Sequence, residues 1–271
     1  MDRKKKLIDL GKMKKILLLS ANPLDTTQLR VDEEMREIKE GLKRSKHREN
    51  FVIETGQAVR YRDIRRAILD FEPNIVHFSG HGDGEEGLIF EDETGESKLV
   101  KAEALARLFE LFADEIECVV LNACYSQIQA KAIARHISYV VGMNKAIGDQ
   151  AALEFAVGFY DGLGAGKSVT FAYKLGYNSI EIAGIPQHLT PQLLSNSDVQ
   201  DKETKNNYNA ASPQPRIPIE HDQEDDEKTI ETDNKQGEAR YQFRSQEINL
   251  DNDKKPKYRE QPNQKKQADL C

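Results

Sequence analysis

The chain has 271 residues, with 46 acidic against 39 basic side chains and a net charge of −7 at neutral pH. That balance offers no concentrated basic face, which removes nucleic acid from the expected partners. A mean hydropathy of −0.68, with 31% charged residues, is too polar for a chain that is globular throughout.

Residues 1–12 are expected to be a flexible extension or the product of an upstream start. The run Lys14–Ser20 is a buried-strand pattern, closed by Ala21-Asn22-Pro23, where proline stops further pairing. Residues 27–45 read as an amphipathic helix: Val31, Met35, Ile38 and Leu42 share one stripe, and Glu33, Glu34, Arg36, Glu37 and Lys39 take the other faces. Residues 51–55 form a β-branched strand, and residues 62–71 a helix ended by Pro73. Residues 74–82 then run from a buried strand into Ser79-Gly80-His81-Gly82. Residues 87–100 make two short strands about a Glu93-Thr94-Gly95 turn, so a β-hairpin follows the histidine.

A helix over residues 102–112 leads into the apolar run 118–122, which stops abruptly at Ala123-Cys124-Tyr125-Ser126. Helix 127–136, strand Tyr139–Met143, helix 149–163 and helix 168–182 complete the pattern. Strands alternating with helices imply an α/β fold with a mostly parallel sheet covered on both faces. The folded domain is expected over residues 13–195. Beyond it, residues 196–271 are rich in Asp, Glu, Lys, Gln, Asn and Pro. Such a segment buries too little to offset about 1–2 kcal/mol of backbone entropy per ordered residue, and a disordered polar tail is predicted.

Cys118, Cys124 and Cys271 make an odd count without paired spacing, which points away from disulfides and zinc and toward a reducing cytoplasm. No apolar run approaches bilayer length, and the basic start Asp2 to Lys6 precedes too short an apolar segment for a signal peptide. No metal, cofactor or membrane partner is expected. Two Gly-rich stretches are decoys for nucleotide binding. Residues 80–87 carry Asp83, Glu85 and Glu86, which repel phosphate. Residues 164–168 have Asp161 where a phosphate loop needs glycine, and follow a helix rather than a strand.

Two buried strands therefore end in chemically useful residues, His81 and Cys124. In an open parallel sheet, ligands gather outside the carboxyl ends of the strands. Adjacent strands lie about 5 Å apart there, so the two ends can bring an imidazole to a thiol. A thiol is a nucleophile only as thiolate, and imidazole is the side chain that removes its proton near neutral pH. A lone cysteine at a strand end otherwise packs as a small apolar residue. His77 shares a strand face with His81 by period-two alternation, but its mid-strand position reads as a hydrogen-bonded core or supporting group.

Ser79-Gly80-His81-Gly82 and Leu121-Asn122-Ala123-Cys124 at strand ends resemble the CHAT peptidase family, of the caspase, separase and gingipain group. The likeness also takes in Ala21-Asn22-Pro23, residues 142–149 and residues 159–166. The spacing from His81 to Cys124 is near the roughly fifty residues typical of caspases. The resemblance implies a caspase-like three-layer sandwich and a cysteine endopeptidase acting on a protein or peptide substrate. Carried onto this sequence, it makes Cys124 the nucleophile and His81 the proton donor to the leaving amine. It gives Gly82 and Cys124 the oxyanion-hole N–H groups, and sets Asn122, Ala123 and Asp149 along the substrate groove with His77 and Ser79 behind them. Asp149 matches an acidic residue lining the P1 pocket of basic-specific relatives, although the first turn of a helix is also where an acidic side chain satisfies free N–H groups. The resemblance also implies a regulatory protein acting in trans, and leaves open a catalytically silent module that binds a peptide.

Overall fold

The computed structural model describes residues 13–197. The expected N-terminal extension, and the expected tail beyond Ser197, lie outside the described residues. In chain order the elements are β1 (Lys14–Ser20), α1 (Val31–Arg44), β2 (Phe51–Gly56), α2 (Asp63–Phe71), β3 (Ile75–Ser79), β4 (Leu88–Glu91), β5 (Ser97–Val100), α3 (Ala102–Glu110), β6 (Cys118–Asn122), α4 (Gln127–Ile133), β7 (Tyr139–Met143), α5 (Asp149–Gly164), α6 (Val169–Ile182) and β8 (Pro191–Ser195).

Six strands form one sheet in the order β2-β1-β3-β6-β7-β8. All pairs are parallel except β7 with β8. The order reverses at β1, which sits between β2 and β3, so the carboxyl ends of β1, β3 and β6 flank the crevice where open α/β sheets bind ligands. The expected hairpin is present as β4 and β5, a separate two-stranded sheet.

Side chains alternate across the sheet as strand geometry requires. Leu17, Leu19, Val76, Phe78, Val119 and Leu121 enter one core with Ile64 and Ile68 of α2, Leu105 and Phe109 of α3, and Ile133 of α4. Ile16, Leu18, Ile75, Cys118 and Val120 enter the other, with Met35, Ile38 and Leu42 of α1, Phe155 and Phe159 of α5, and Ile180 of α6. Helices thus cover both faces, giving a three-layer α/β sandwich. On the α1–α5 side the alternation turns polar at the carboxyl ends: His77 and Ser79 follow Ile75, and Asn122 follows Val120. The register places Ser79 opposite Asn122.

Two elements depart from the sequence pattern. The first helix begins at Val31 rather than at residue 27, because Asn22 holds the segment before it in an irregular, non-helical path, as described below. The sheet also has one more strand than expected, β8, pairing Pro191 with Met143 and Ser195 with Tyr139. It is short and starts on proline, which a strand accepts at its first residue and at a sheet edge.

Candidate active site

Cys124 lies just past the carboxyl end of β6, in a turn that the sequence builds with two devices. Ser126 is fully buried; its hydroxyl donates to the Leu121 carbonyl at 2.9 Å and accepts the Met143 N–H at 2.9 Å, clipping β6 to β7. Tyr125 takes a left-handed backbone conformation, φ 55°, a strained state for a residue with a bulky side chain. Its N–H reaches the Lys145 carbonyl at 3.1 Å. The result is a sharp bend that leaves the half-buried Cys124 thiol against the loop before α5. There Sγ accepts the Ile147 N–H at 3.4 Å and donates to the Ile147 carbonyl at 3.6 Å.

His81 follows β3. Its Nε2 lies 2.8 Å from the Thr27 carbonyl. A carbonyl only accepts, so Nε2 carries the proton, and Nδ1 of the neutral ring is the nitrogen left for proton exchange. Thr27 can serve because its segment is not helical. Asn22 brackets Leu29: Oδ1 accepts the Leu29 N–H and Nδ2 donates to the Leu29 carbonyl, each at 3.1 Å. This loop is tied in turn to the hairpin. Glu91 Oε1 accepts the Asn22 N–H at 3.1 Å, and Asp25 accepts both the Ser97 N–H at 2.9 Å and the Ser97 hydroxyl at 2.7 Å. The hairpin after the histidine therefore braces the loop that holds the histidine.

The loops after β3 and β6 meet at Gly82. A Cβ there would stand 2.3 Å from the Cys124 carbonyl oxygen, so only glycine permits the approach. Neither the Gly82 N–H nor the Cys124 N–H donates a hydrogen bond among the described residues. His81, Ala123 and Cys124 line one open cleft together with Gly80, Asn122, Glu34 and Asp149. The imidazole and the thiol share this cleft, but no hydrogen bond joins them.

Beneath the cleft lies a buried polar cluster. Glu34 is 6% exposed and His77 is 0% exposed. Glu34 Oε1 faces His77 Nε2 at 2.7 Å and accepts from the Ser79 hydroxyl at 2.7 Å and from Asn122 Nδ2 at 2.8 Å. The Tyr160 hydroxyl lies 3.2 Å from His77 Nδ1. Burial pushes the Tyr160 phenol up, with Cys118 and Glu34 adding to it, so the hydroxyl keeps its proton and donates. His77 then carries its proton on Nε2 and donates to Glu34. His77 and Ser79 thus support residues that line the cleft without lining it themselves.

A model of the CHAT domain matches residues 11–173. The chain belongs to the CHAT domain family. Two curated relatives share 26% identity with it: a "Roc-COR-CHAT protease" from an unknown prokaryotic organism, over 68% of this chain and 19% of that protein, and a "Probable protease" from Gillisia limnaea, over 67% of this chain and 33% of that protein. The chain therefore spans about a fifth to a third of the length of these relatives. Among solved structures, a secreted C11 cysteine protease from Bacteroides thetaiotaomicron, in complex with an irreversible peptide inhibitor, superposes with a TM-score of 0.52 at 13% identity, covering 69% of this chain and 68% of that one. The fold of this CHAT domain is accordingly the caspase-like sandwich.

Within the CHAT domain, Asp149 is the first residue of α5 and lies exposed at the mouth of the cleft. Its carboxylate makes no hydrogen bond among the described residues, so it does not cap its own helix. Cys118 is fully buried; burial pushes its thiol well above the usual range, which makes it an inert core group. The expectation that Glu34 lies on an outer face of α1 is corrected. It is three residues after Val31 and four before Ile38, and so belongs to the inward stripe. That spacing was the available signal. The Thr27 carbonyl had none, since a backbone acceptor is not marked by its residue type. Among the described residues, no group of three or more His, Cys, Asp or Glu could hold a metal ion, and no helix is long and apolar enough to cross a membrane.

Proposed function

We propose that this CHAT domain is a cysteine endopeptidase with a His81–Cys124 dyad. One observation carries the reading: a half-buried thiol and an imidazole with one nitrogen already bonded share a cleft, and the Cys124 N–H and that of Gly82, whose backbone packs on the Cys124 carbonyl, donate no other hydrogen bond among the described residues. In the proposed cycle, His81 Nδ1 takes the Cys124 proton and Sγ attacks the scissile carbonyl. The oxyanion meets the N–H groups of Gly82 and Cys124, where removing one donor typically costs about 2.7–4 kcal/mol of transition-state stabilisation. The tetrahedral carbon then expels the amine, which takes the proton from His81 and leaves a thioester. Water, deprotonated by His81, attacks that thioester; the carboxylic acid departs and the thiol is restored. Asn122 and Ala123 line the groove, and Asp149 at its mouth favours a basic P1 residue by charge.

The imidazole and thiol are not hydrogen-bonded to each other, and this supports two further parts of the proposal. Substrate, or an activating protein acting in trans in the reducing cytoplasm, draws the pair together. The competing reading, a silent module that binds a peptide in the same cleft, also accommodates the gap. Peptidyl chloromethyl ketones with Arg or Leu at P1 separate the two. Mass spectrometry should find one inhibitor on Cys124 in the wild type, none in Cys124→Ala, and slowed addition in His81→Ala. An unlabelled Cys124, with no cleavage of denatured protein substrates at any pH from 6 to 8.5, sinks the peptidase reading and leaves the binding module.

A further inference from the structure

The hairpin after the histidine has one edge in use and one edge open. The Ile89 N–H donates to the His81 carbonyl at 3.0 Å, and the Glu91 N–H to the Val59 carbonyl at 3.1 Å. Those groups of β4 therefore point away from β5. Backbone groups alternate in direction along a strand, so Leu88 and Phe90 are the residues that bond to β5, through their partners Val100 and Lys98. The same alternation turns the N–H and carbonyl groups of Ser97 and Leu99 outward. Asp25 takes the Ser97 N–H at 2.9 Å. The Leu99 N–H, the Leu99 carbonyl and the Ser97 carbonyl make no hydrogen bond among the described residues.

A groove borders this open edge, lined by Tyr61, Leu99 and Ile128 and by Lys98, Lys101 and Arg107. The three apolar side chains are exposed. The three basic ones form no ion pair among the described residues. Of the two acids on the groove, Glu103 is paired with Arg135 at 3.6 Å, which leaves Glu85 alone against three cations. The amino end of α3, which no side chain caps, opens onto the same groove and adds to its positive potential. Edge strands are normally covered, or blunted by charges such as lysine that a neutral or basic strand leaves unmatched. An acidic strand matches them.

We infer that the open edge of β5 and the groove beside it bind an extended acidic segment of a partner protein, which adds a strand to the hairpin through the Leu99 N–H and carbonyl. Main-chain bonds to the edge supply the affinity and set the register. Every second side chain of the segment then turns toward Leu99, Ile128 and Tyr61, where an apolar residue fits, and its carboxylates meet Lys98, Lys101 and Arg107. Docking there reaches the candidate active site by a short path, since the opposite edge of β4 holds the His81 carbonyl and pairs Leu88 with Gly82. That consequence rests on the peptidase reading; the docking does not.

The test uses the full chain carrying Cys124→Ala, isotope-labelled for amide spectra, and two synthetic peptide amides, Glu-Val-Glu-Ile-Glu-Val-Glu and Lys-Val-Lys-Ile-Lys-Val-Lys. The acidic peptide should shift the amides of residues 97–104, slow hydrogen exchange at the Leu99 N–H, and bind about tenfold or more tightly than the basic one. Leu99→Pro removes an N–H that the hairpin does not use, at an edge where proline is accepted, and should abolish binding, while Leu99→Ala keeps the N–H and should retain it. Lys98→Glu with Lys101→Glu and Arg107→Glu should invert the preference, and this variant decides the matter if circular dichroism shows Leu99→Pro unfolded. No shifts with either peptide, equal binding of the two, binding that survives in folded Leu99→Pro, or a preference that the triple variant does not invert overturns the inference. Two other occupants would also overturn it. Tighter binding of the acidic peptide once the acids of residues 220–227 are made neutral assigns the groove to the chain's own segment, and a dimer that sedimentation shows Leu99→Pro to dissociate assigns it to a second copy. Ketone labelling of the wild type is judged separately. Its absence removes the peptidase and keeps the docking surface; labelling that the bound peptide leaves unchanged keeps both and removes the link between them.

Discussion

Asn22 holds both faces of the Leu29 peptide position, through bonds of 3.1 Å to its N–H and its carbonyl, and thereby aims the Thr27 carbonyl at His81 Nε2, 2.8 Å away. The imidazole is thus oriented by a backbone atom whose own position depends on an asparagine side chain. Asn22→Ala removes both bonds. If His81 acts in the proposed dyad, this should lower kcat by about 10- to 100-fold, since misplacing a catalytic group by an ångström is worth that much, with little change in KM. Asn22→Asp keeps the acceptor for the Leu29 N–H and should fall between. Steady-state kinetics on a cleaved peptide decides it: a loss confined to KM, or equal losses in Ala and Asp, removes the positioning role.

Gly82 is required by contact rather than by dihedral angle. Gly82→Ala should cost about 1–3 kcal/mol, in the range of overpacked sites, and abolish ketone labelling, because the added methyl group pushes the His81 and Cys124 loops apart. Gly184 is the comparison: its φ of 72° disfavours a side chain, yet nothing lies within 4 Å of an added Cβ. Gly184→Ala should lose about 1–2 kcal/mol from backbone strain and retain labelling. Thermal melts and intact-mass labelling read both quantities, and a labelled Gly82→Ala contradicts the contact argument.

Much of this site was legible in the sequence, and the unread parts share a physical cause. His81, Gly82 and Cys124 announce themselves because buried apolar runs stop at them, and strand ends in a parallel sheet share an edge. Glu34 was misread because a charge in an amphipathic helix is normally solvated, and the pattern of neighbouring charges outweighed its place on the inward stripe. The start of α1 was misplaced for a different reason. Residues 27–30 have no helix-breaking residue; what keeps them out of the helix is a side chain, Asn22, that reaches Leu29 across a turn. The strand β8 was missed because five residues beginning with proline carry no period of their own and acquire strand structure only by pairing with β7.

Asp25 links the fold to acidity. Its bond from the Ser97 hydroxyl lowers its carboxyl below the usual range, burial opposes this, and the backbone N–H groups of Asp25 and Ser97 add to the lowering. A carboxyl with a depressed native value binds fewer protons folded than unfolded. Its contribution is therefore complete above the ordinary carboxylate range and is lost as pH falls through the depressed value. The melting-temperature gap between wild type and Asp25→Asn should be full at pH 6–7 and close progressively below about pH 4. A gap that stays constant down to pH 2.5 rules out the carboxylate as its source.

Ser126 joins two strands through one oxygen, donating to Leu121 and accepting from Met143. Ser126→Ala strands a buried N–H and a buried carbonyl, and the unpaired groups should cost about 1–3 kcal/mol. The loss should appear in the denaturant midpoint with an unchanged slope. Ser126→Cys, with a weaker donor and acceptor on a longer bond, should recover little. Stability equal to wild type in Ser126→Ala would mean that the β6 and β7 ends are held by other bonds.

The two described cysteines should differ sharply in reactivity, although they stand six residues apart on one strand and its turn. Only the thiolate reacts, and Cys118 is both inaccessible and held as thiol by burial, with the neighbouring Glu117 pushing the same way and Lys14 weakly opposing. Cys124 is half-buried, lines an open cleft and receives an N–H from Ile147. Iodoacetamide at pH 8 should therefore modify Cys124 in the folded protein, while Cys118 stays unmodified until the chain is unfolded. Peptide mapping by mass spectrometry distinguishes the two sites. His81→Ala removes a side chain from the wall of the cleft and so opens Cys124 rather than covering it; a slower reaction at Cys124 in that variant therefore isolates the contribution of the imidazole to the thiolate. An undiminished rate means that the Ile147 N–H and the local field, rather than His81, set the nucleophilicity of Cys124, and confines the proposed role of His81 to the leaving amine.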